Sequence, residues 1–236
     1  MAADFGVIVF PGSNCDNDCY NVVDRVLKKS VKFIWHDDSF SAKDYKCIIL
    51  PGGFSYGDYL RSGAMARYSK AMDSVVEFAE KGGLVFGSCN GFQILLESGL
   101  LPGAMMRNRG LKFICDQIYV RIEKTESPFT NCAEKGKIIK LPIAHADGSY
   151  YLEEAALKEL EENRQVILRY SSAKGDVSDS TNPNGSVNNI AGIANKKGNV
   201  FGLMPHPERC SEKILGNTDG LVIFNSILKH LGEKPL

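Results

Sequence analysis

Neither sign of charge is in surplus in this sequence: 28 Lys and Arg stand against 28 Asp and Glu. Neutralising phosphates takes a basic excess, so neither nucleic acid nor an anionic membrane is expected as the main partner. Long apolar runs are missing as well. None approaches the roughly 20 residues that span a bilayer, and Met1-Ala2-Ala3-Asp4 lacks the basic start of a secretory leader. The seven cysteines, at 15, 19, 47, 89, 115, 132 and 210, include no C-x-x-C pair and no metal-ligand spacing, so no metal is expected. An odd, scattered set fits reduced thiols in the cytoplasm. There is no G-x-x-x-x-G-K-S/T phosphate loop and no ATP-grasp-sized domain. An ATP site is therefore not expected in this chain. No internal repeat and no linker divides the chain, which reads as one domain, 1–236.

What is present begins with buried strands. Phe5 to Phe10 is apolar throughout and ends at Pro11-Gly12-Ser13-Asn14. Such runs fit strands covered on both faces, as in a parallel sheet. Cys19, Tyr20, Val22, Val23, Val26 and Leu27 mark a helix, and Val31 to Trp35 and Lys46 to Leu50 mark two more strands. A β-α-β opening predicts a doubly wound α/β fold, with a mostly parallel central sheet flanked by helices. A helix is expected over 71–81, with Gly82 as its stop. The second half has another texture. Gln117 to Glu123 alternates as a half-exposed antiparallel strand would, and 137–144, 166–170 and 190–194 are further strand candidates. Glu153 to Asn163 reads as a short helix. The last helix has Leu221, Phe224, Ile227, Leu228 and Leu231 on one face. The Ser-, Asn- and Gly-rich stretch 171–189 is expected to be a mobile hairpin tip or a solvated loop.

The informative stretch is Leu84 to Leu95. Its apolar run arrives at Gly87, Cys89 follows, then Gly91, and from Phe92 the apolar positions take helical spacing. G-x-C-x-G is the thiol form of the nucleophile elbow, in which glycines clear room beside the apex. A helix N-terminus favours the thiolate. Taken alone, the pattern fits a nucleophile or a small buried apolar residue; the rest of the chain decides. Pro51-Gly52-Gly53, just beyond a strand, fits a plain turn or exposed N–H groups offered to a ligand.

A thiol nucleophile needs a base. His36, beside Asp37 and Asp38, and His230, on the last helix, read as surface residues, and His145 reads as a site edge. His206 follows the strand 199–204 in Met204-Pro205-His206-Pro207-Glu208-Arg209. The flanking prolines hold it extended, so His206 and Glu208 are expected to point to one side as base and orienting carboxylate.

Together, Gly87-Ser88-Cys89-Asn90-Gly91-Phe92-Gln93, Pro51 to Asp58 and Met204 to Arg209 resemble the class I, triad-type glutamine amidotransferases. Phe10 to Asp16, Leu100 to Ala104 and Asn108-Arg109 extend the resemblance nearly end to end, toward the branch of glutaminase subunits serving purine biosynthesis. The resemblance implies the flavodoxin-like fold of that family, with added antiparallel strands in the second half. It implies that Cys89 attacks the side-chain amide of glutamine, His206 moves the protons and Glu208 orients His206. Oxyanion donors would be backbone N–H groups of Gly52, Gly53 and Asn90. Gln93 would shape the substrate pocket or simply fill a first helical turn. No cofactor is implied in this chain; ATP and Mg2+ are expected on a large synthetase subunit, which together with a small accessory subunit would be the partner. The competing expectations are another triad amidotransferase subunit, a γ-glutamyl hydrolase without partners, a non-catalytic interaction module, or a redox protein with an elbow cysteine.

Overall fold

The computed structural model describes residues 3–236; the leader reading at Met1 and Ala2 lies outside the described residues. Among the described residues no helix is long and apolar enough to cross a membrane.

All four residues of β3 (Cys47–Leu50) are buried, with Cys47 and Ile49 on one face and Ile48 and Leu50 on the other. Side chains alternate across a strand, so a run apolar at every position needs cover on both sides. β1 (Phe5–Val9) and β4 (Leu84–Ser88) are built the same way. One face is covered by α1 (Asp16–Asn21), its wider continuation over Val22–Val26, and α5 (Leu221–His230), through Cys19, Val23, Phe224 and Ile227. The other is covered by α2 (Lys70–Glu80) and α3 (Asn90–Glu97), through Met72, Val75, Phe78, Phe92 and Leu95. Burial of each such large apolar side chain contributes about 1.5–3 kcal/mol. The ends of α2 are set locally. Ser69 Oγ accepts the Met72 N–H at its start, and the N–H groups of Gly82 and Gly83 return to the carbonyls of Ala79 and Phe78 at its end.

The main sheet has the order β2 (Val31–Trp35), β1, β3, β4, β11 (Val200–Leu203), β10 (Ile190–Ala194), β9 (Val166–Ser171), β6 (Ile114–Ile122), β7 (Ile138–His145). Pairing is parallel from β2 as far as β11 and antiparallel from β11 to β7. The parallel part has the flavodoxin-like order, whose direction of winding reverses between β1 and β3. Ligands in such sheets bind beyond the carboxyl ends of the strands at that point.

Two features differ from the sequence reading. β5 (Ala104–Met106) and β8 (Ser149–Tyr151) pair as a separate two-stranded sheet, each too short to show an alternation. The stretch 171–189 does join the adjacent antiparallel strands β9 and β10, but it folds back onto the protein. Fully buried Asn184 donates to the Gly148 carbonyl at 2.7 Å and to the Tyr170 hydroxyl at 3.0 Å, and Ser186 Oγ accepts the Tyr150 N–H at 3.0 Å. The amides that read as solvated surface satisfy buried backbone groups instead. Asn184→Ala strips both acceptors of that donor and is expected to lower stability by about 2–3 kcal/mol, read as a fall in the thermal midpoint. An unchanged midpoint would mean that water replaces the amide at no cost.

Candidate active site

The carboxyl ends of β1, β3, β4 and β11 open on one cleft of about 120 Å³, lined among others by Cys15, Gly53, Cys89, His206 and Arg209. A larger hollow of about 710 Å³ lies against α4 (Glu154–Glu162), lined by residues such as Glu153, Lys158 and Asn188, and no cysteine, serine or histidine lines it. The chemistry belongs to the smaller one.

Cys89 stands between β4 and α3 with φ 49° and ψ −107°, a conformation side chains rarely adopt. Its neighbours permit the turn. A Cβ on Gly87 would meet the Gly91 carbonyl carbon at 2.8 Å, so the two glycines of the G-x-C-x-G pattern abut each other. The Cys89 N–H donates to the Leu203 carbonyl at 2.8 Å, tying the elbow to β11. Its thiol points toward the Ala144 carbonyl at 3.8 Å.

His206 leaves β11 with its N–H bonded to the Pro142 carbonyl at 2.9 Å. Its Nδ1 lies 2.6 Å from Glu208 Oε1, and both residues are 2% exposed. The sequence reading expected an extended segment to align this pair. The structure places Glu208 in a tight turn, Pro207–Cys210, that curls its carboxylate back under the ring. Burial disfavours a charged ring, but the Glu208 carboxylate and Cys89 outweigh it and hold the His206 pKa well above its ordinary value.

The Gly52-Gly53 turn lies beside the ring: a Cβ on Gly52 would stand 2.7 Å from His206 Cε1 and 2.9 Å from Cys15 Sγ. Ser13 and Gly53 face each other in an antiparallel bridge made by Asn14 N–H to Gly52 O at 3.3 Å and Phe54 N–H to Gly12 O at 2.9 Å. In that pattern the Gly53 N–H points away from the bridge. The side chains of Asn90 and Gln93 are engaged with their surroundings. Asn90 donates to Gln93 Oε1 at 2.8 Å and accepts the Ser55 N–H at 3.1 Å, while Gln93 donates to the Asp147 carbonyl at 2.6 Å. Gln93 is not among the lining residues of the cleft.

Cys15 and Arg209 line the cleft, although the sequence reading gave them no role. Arg209 Nη2 donates to Cys15 Sγ at 3.0 Å and its Nε to Asp18 Oδ2 at 3.3 Å. Burial pushes the Cys15 thiol pKa up, with His206 and Arg209 opposing. The one available signal was position: Cys15 follows β1 as Gly52 follows β3, at the switch point.

His145 is 3% exposed, with Nδ1 3.0 Å from Asn108 Oδ1, an acceptor that also takes the Gly148 N–H at 3.0 Å. Burial first, and His206 second, push its pKa down to about 4. Unfolded, the ring titrates near 6.5, so the folded chain binds fewer protons between about pH 4 and 6.5. Stability therefore falls as pH is lowered through that window, by up to about 3 kcal/mol. Denaturant titrations at neutral and acidic pH should show a shallower pH dependence in His145→Gln; an equal slope would place the titration elsewhere.

Fold and site together place a cysteine and a histidine–carboxylate pair at the switch point of a doubly wound α/β sheet. Comparison with known proteins narrows this. The family model of the CobB/CobQ-like glutamine amidotransferase domain matches residues 3–220. Phosphoribosylformylglycinamidine synthase subunit PurQ of Salinibacter ruber is 56% identical over 231 residues, 98% of each chain. The PurQ subunit of Moorella thermoacetica is 56% identical over 95% of this chain and 94% of its own. Among solved structures, PurLQS from Thermotoga maritima superimposes with a TM-score of 0.85 at 45% identity, over 98% of this chain and 100% of that one. The glutaminase domain of Trypanosoma brucei CTPS, at 11% identity, shares the fold with a TM-score of 0.60 over 99% of this chain and 96% of that one. The chain belongs to the glutamine amidotransferase family, in the branch of the PurQ subunits of phosphoribosylformylglycinamidine synthase.

Proposed function

We propose that this chain is the glutaminase subunit of a phosphoribosylformylglycinamidine synthase, hydrolysing glutamine to glutamate and ammonia for use by a partner synthetase. The observation that carries the reading is the convergence in one cleft of Cys89, at a strained elbow, and His206, whose Nδ1 is bonded to the buried Glu208. Cys89 gives its proton to His206 and attacks the γ-amide carbon of glutamine. The tetrahedral oxyanion is held by the outward Gly53 N–H of the Gly52-Gly53 turn and by the N–H of Asn90, first residue of α3. His206 protonates the departing nitrogen, and ammonia leaves a γ-glutamyl thioester. Water, deprotonated by His206, then attacks the thioester, releasing glutamate and returning the proton to Cys89. Glu208 keeps the ring in place and supports its charge throughout. Asn90 and Gln93 clasp each other and act by fixing α3 and the Asp147 carbonyl rather than by opening their amides to the cleft.

The synthetase uses the ammonia to convert formylglycinamide ribonucleotide into formylglycinamidine ribonucleotide in purine biosynthesis. ATP and Mg2+ are assigned to that large subunit, and a small accessory subunit completes the complex. The similarity to PurLQS supports this assembly. Residues 1–236 are taken as one glutaminase domain, supported by the family match over 3–220 and by a sheet that draws strands from both halves of the chain. A cytoplasmic setting suits ATP-consuming synthesis and free cysteines.

The deciding experiment is intact mass after incubation with a diazoketone analogue of glutamine. One adduct is expected, absent in Cys89→Ala, and hydrolysis should rise markedly when synthetase is added. No adduct with or without synthetase would sink the reading.

A further inference from the structure

The sequence contains no metal-ligand spacing, yet the fold gathers a ligand set from positions 191 residues apart. Cys15, His206 and Glu208 each present a donor atom, all within 4.8 Å of one another, and none of the three residues is more than 2% exposed. A further buried oxygen there, Glu208 Oε2, has no hydrogen-bond partner among the described residues. Thiolate, imidazole and carboxylate are the donors Zn2+ takes.

The distances can be compared with what a tetrahedral ion requires. With Zn–N and Zn–O near 2.0–2.1 Å and Zn–S near 2.3 Å, nitrogen and sulfur stand about 3.5 Å apart and nitrogen and oxygen about 3.3 Å. Cys15 Sγ is already 3.8 Å from His206 Nδ1. His206 Nδ1 and Glu208 Oε1, at 2.6 Å, must open by about 0.7 Å, which breaks their hydrogen bond. The cation thus takes the place of the proton between them.

We propose that Cys15, His206 and Glu208 form an inhibitory site for a thiophilic divalent cation of the Zn2+ type. Binding releases the Cys15 thiol proton to solvent and shifts the single proton of the neutral ring from Nδ1 to Nε2. His206 then has no lone pair for the Cys89 proton. Arg209, 3.0 Å from Cys15 Sγ, favours the thiolate and turns toward Asp18, to which it already donates, as the ion enters. Metal binding stands independently of the glutaminase reading; inhibition rests on it.

The test is titration of the reduced, metal-free full chain with Co2+, whose thiolate complexes absorb in the near ultraviolet. A charge-transfer band is expected that Zn2+ abolishes, that survives Cys89→Ala and that is lost in Cys15→Ser. Glu208→Gln should weaken Co2+ binding by about tenfold or more, and answers the question should Cys15→Ser fail to fold. No band in the wild-type chain, a band unchanged by Cys15→Ser, or Co2+ binding unchanged by Glu208→Gln overturns the site. In parallel, Zn2+ should inhibit glutamine hydrolysis, and a chelator should restore it. A band without inhibition overturns the inhibitory role alone. Failure of the metal-free chain to hydrolyse glutamine, with or without synthetase, overturns the glutaminase reading and leaves the metal site standing.

Discussion

Cys89→Ser is expected to fold with an unchanged thermal midpoint and to lose glutamine hydrolysis by at least about ten-thousand-fold. The substitution exchanges one atom. The serine keeps the backbone at φ 49°, the N–H bond to Leu203 and the bond from the Gln93 N–H to the residue 89 carbonyl. What disappears is the sulfur nucleophile. Sulfur attacks the amide carbon with His206 as its base, and a hydroxyl in the same place is a far poorer nucleophile. Steady-state glutamate release, measured with synthetase present, checks the rate, and thermal melting checks the fold. Turnover retained in the variant would mean that another group performs the attack.

Gly91→Ala is expected to be among the most damaging small substitutions to the fold, costing about 3 kcal/mol or more. In an ordinary helix the same change would gain about 1 kcal/mol from backbone entropy. Here the added Cβ would stand 2.0 Å from the Leu50 carbonyl oxygen and 2.7 Å from its carbon. Both are backbone atoms at the end of β3, so no side chain can swing away. Relief requires α3 to lift from β3, and that movement separates the elbow from the Gly52-Gly53 turn two residues beyond Leu50. Loss of stability and loss of activity should therefore appear together. Urea titration reads the first; a midpoint equal to that of the parent chain would mean that the close approach of α3 to β3 is dispensable.

The parts of this protein that were legible in its sequence are those where one local segment carries the whole cause. The run at 47–50 requires two covered faces by itself, and Gly87 and Gly91 abut because the turn at Cys89 leaves no other room. The Pro-His-Pro-Glu element was legible in outcome but not in cause. The prolines were read as holding the segment straight, whereas Pro207 begins a turn that brings Glu208 under His206. The stretch 171–189 misled because composition records polarity and not the partner: the Asn184 amide is as polar in solvent as it is against the Gly148 carbonyl. Cys15 and Arg209 meet across 194 residues, and no spacing rule reaches that far.

The position of β11 bears on how the chain is made. It is the final strand in chain order, yet it lies inside the sheet between β4 and β10. While a nascent chain is still short of residue 200, β4 and β10 each keep an unpaired edge, and the Cys89 N–H lacks its acceptor on Leu203. Exposed edges of this kind invite association with other chains, and pairings between distant segments form slowly. The same late insertion brings His206 to the cleft. Synthesis of the segment from residue 200 to His206 therefore closes the sheet and supplies the base together, and a chain stopped short of residue 200 has neither.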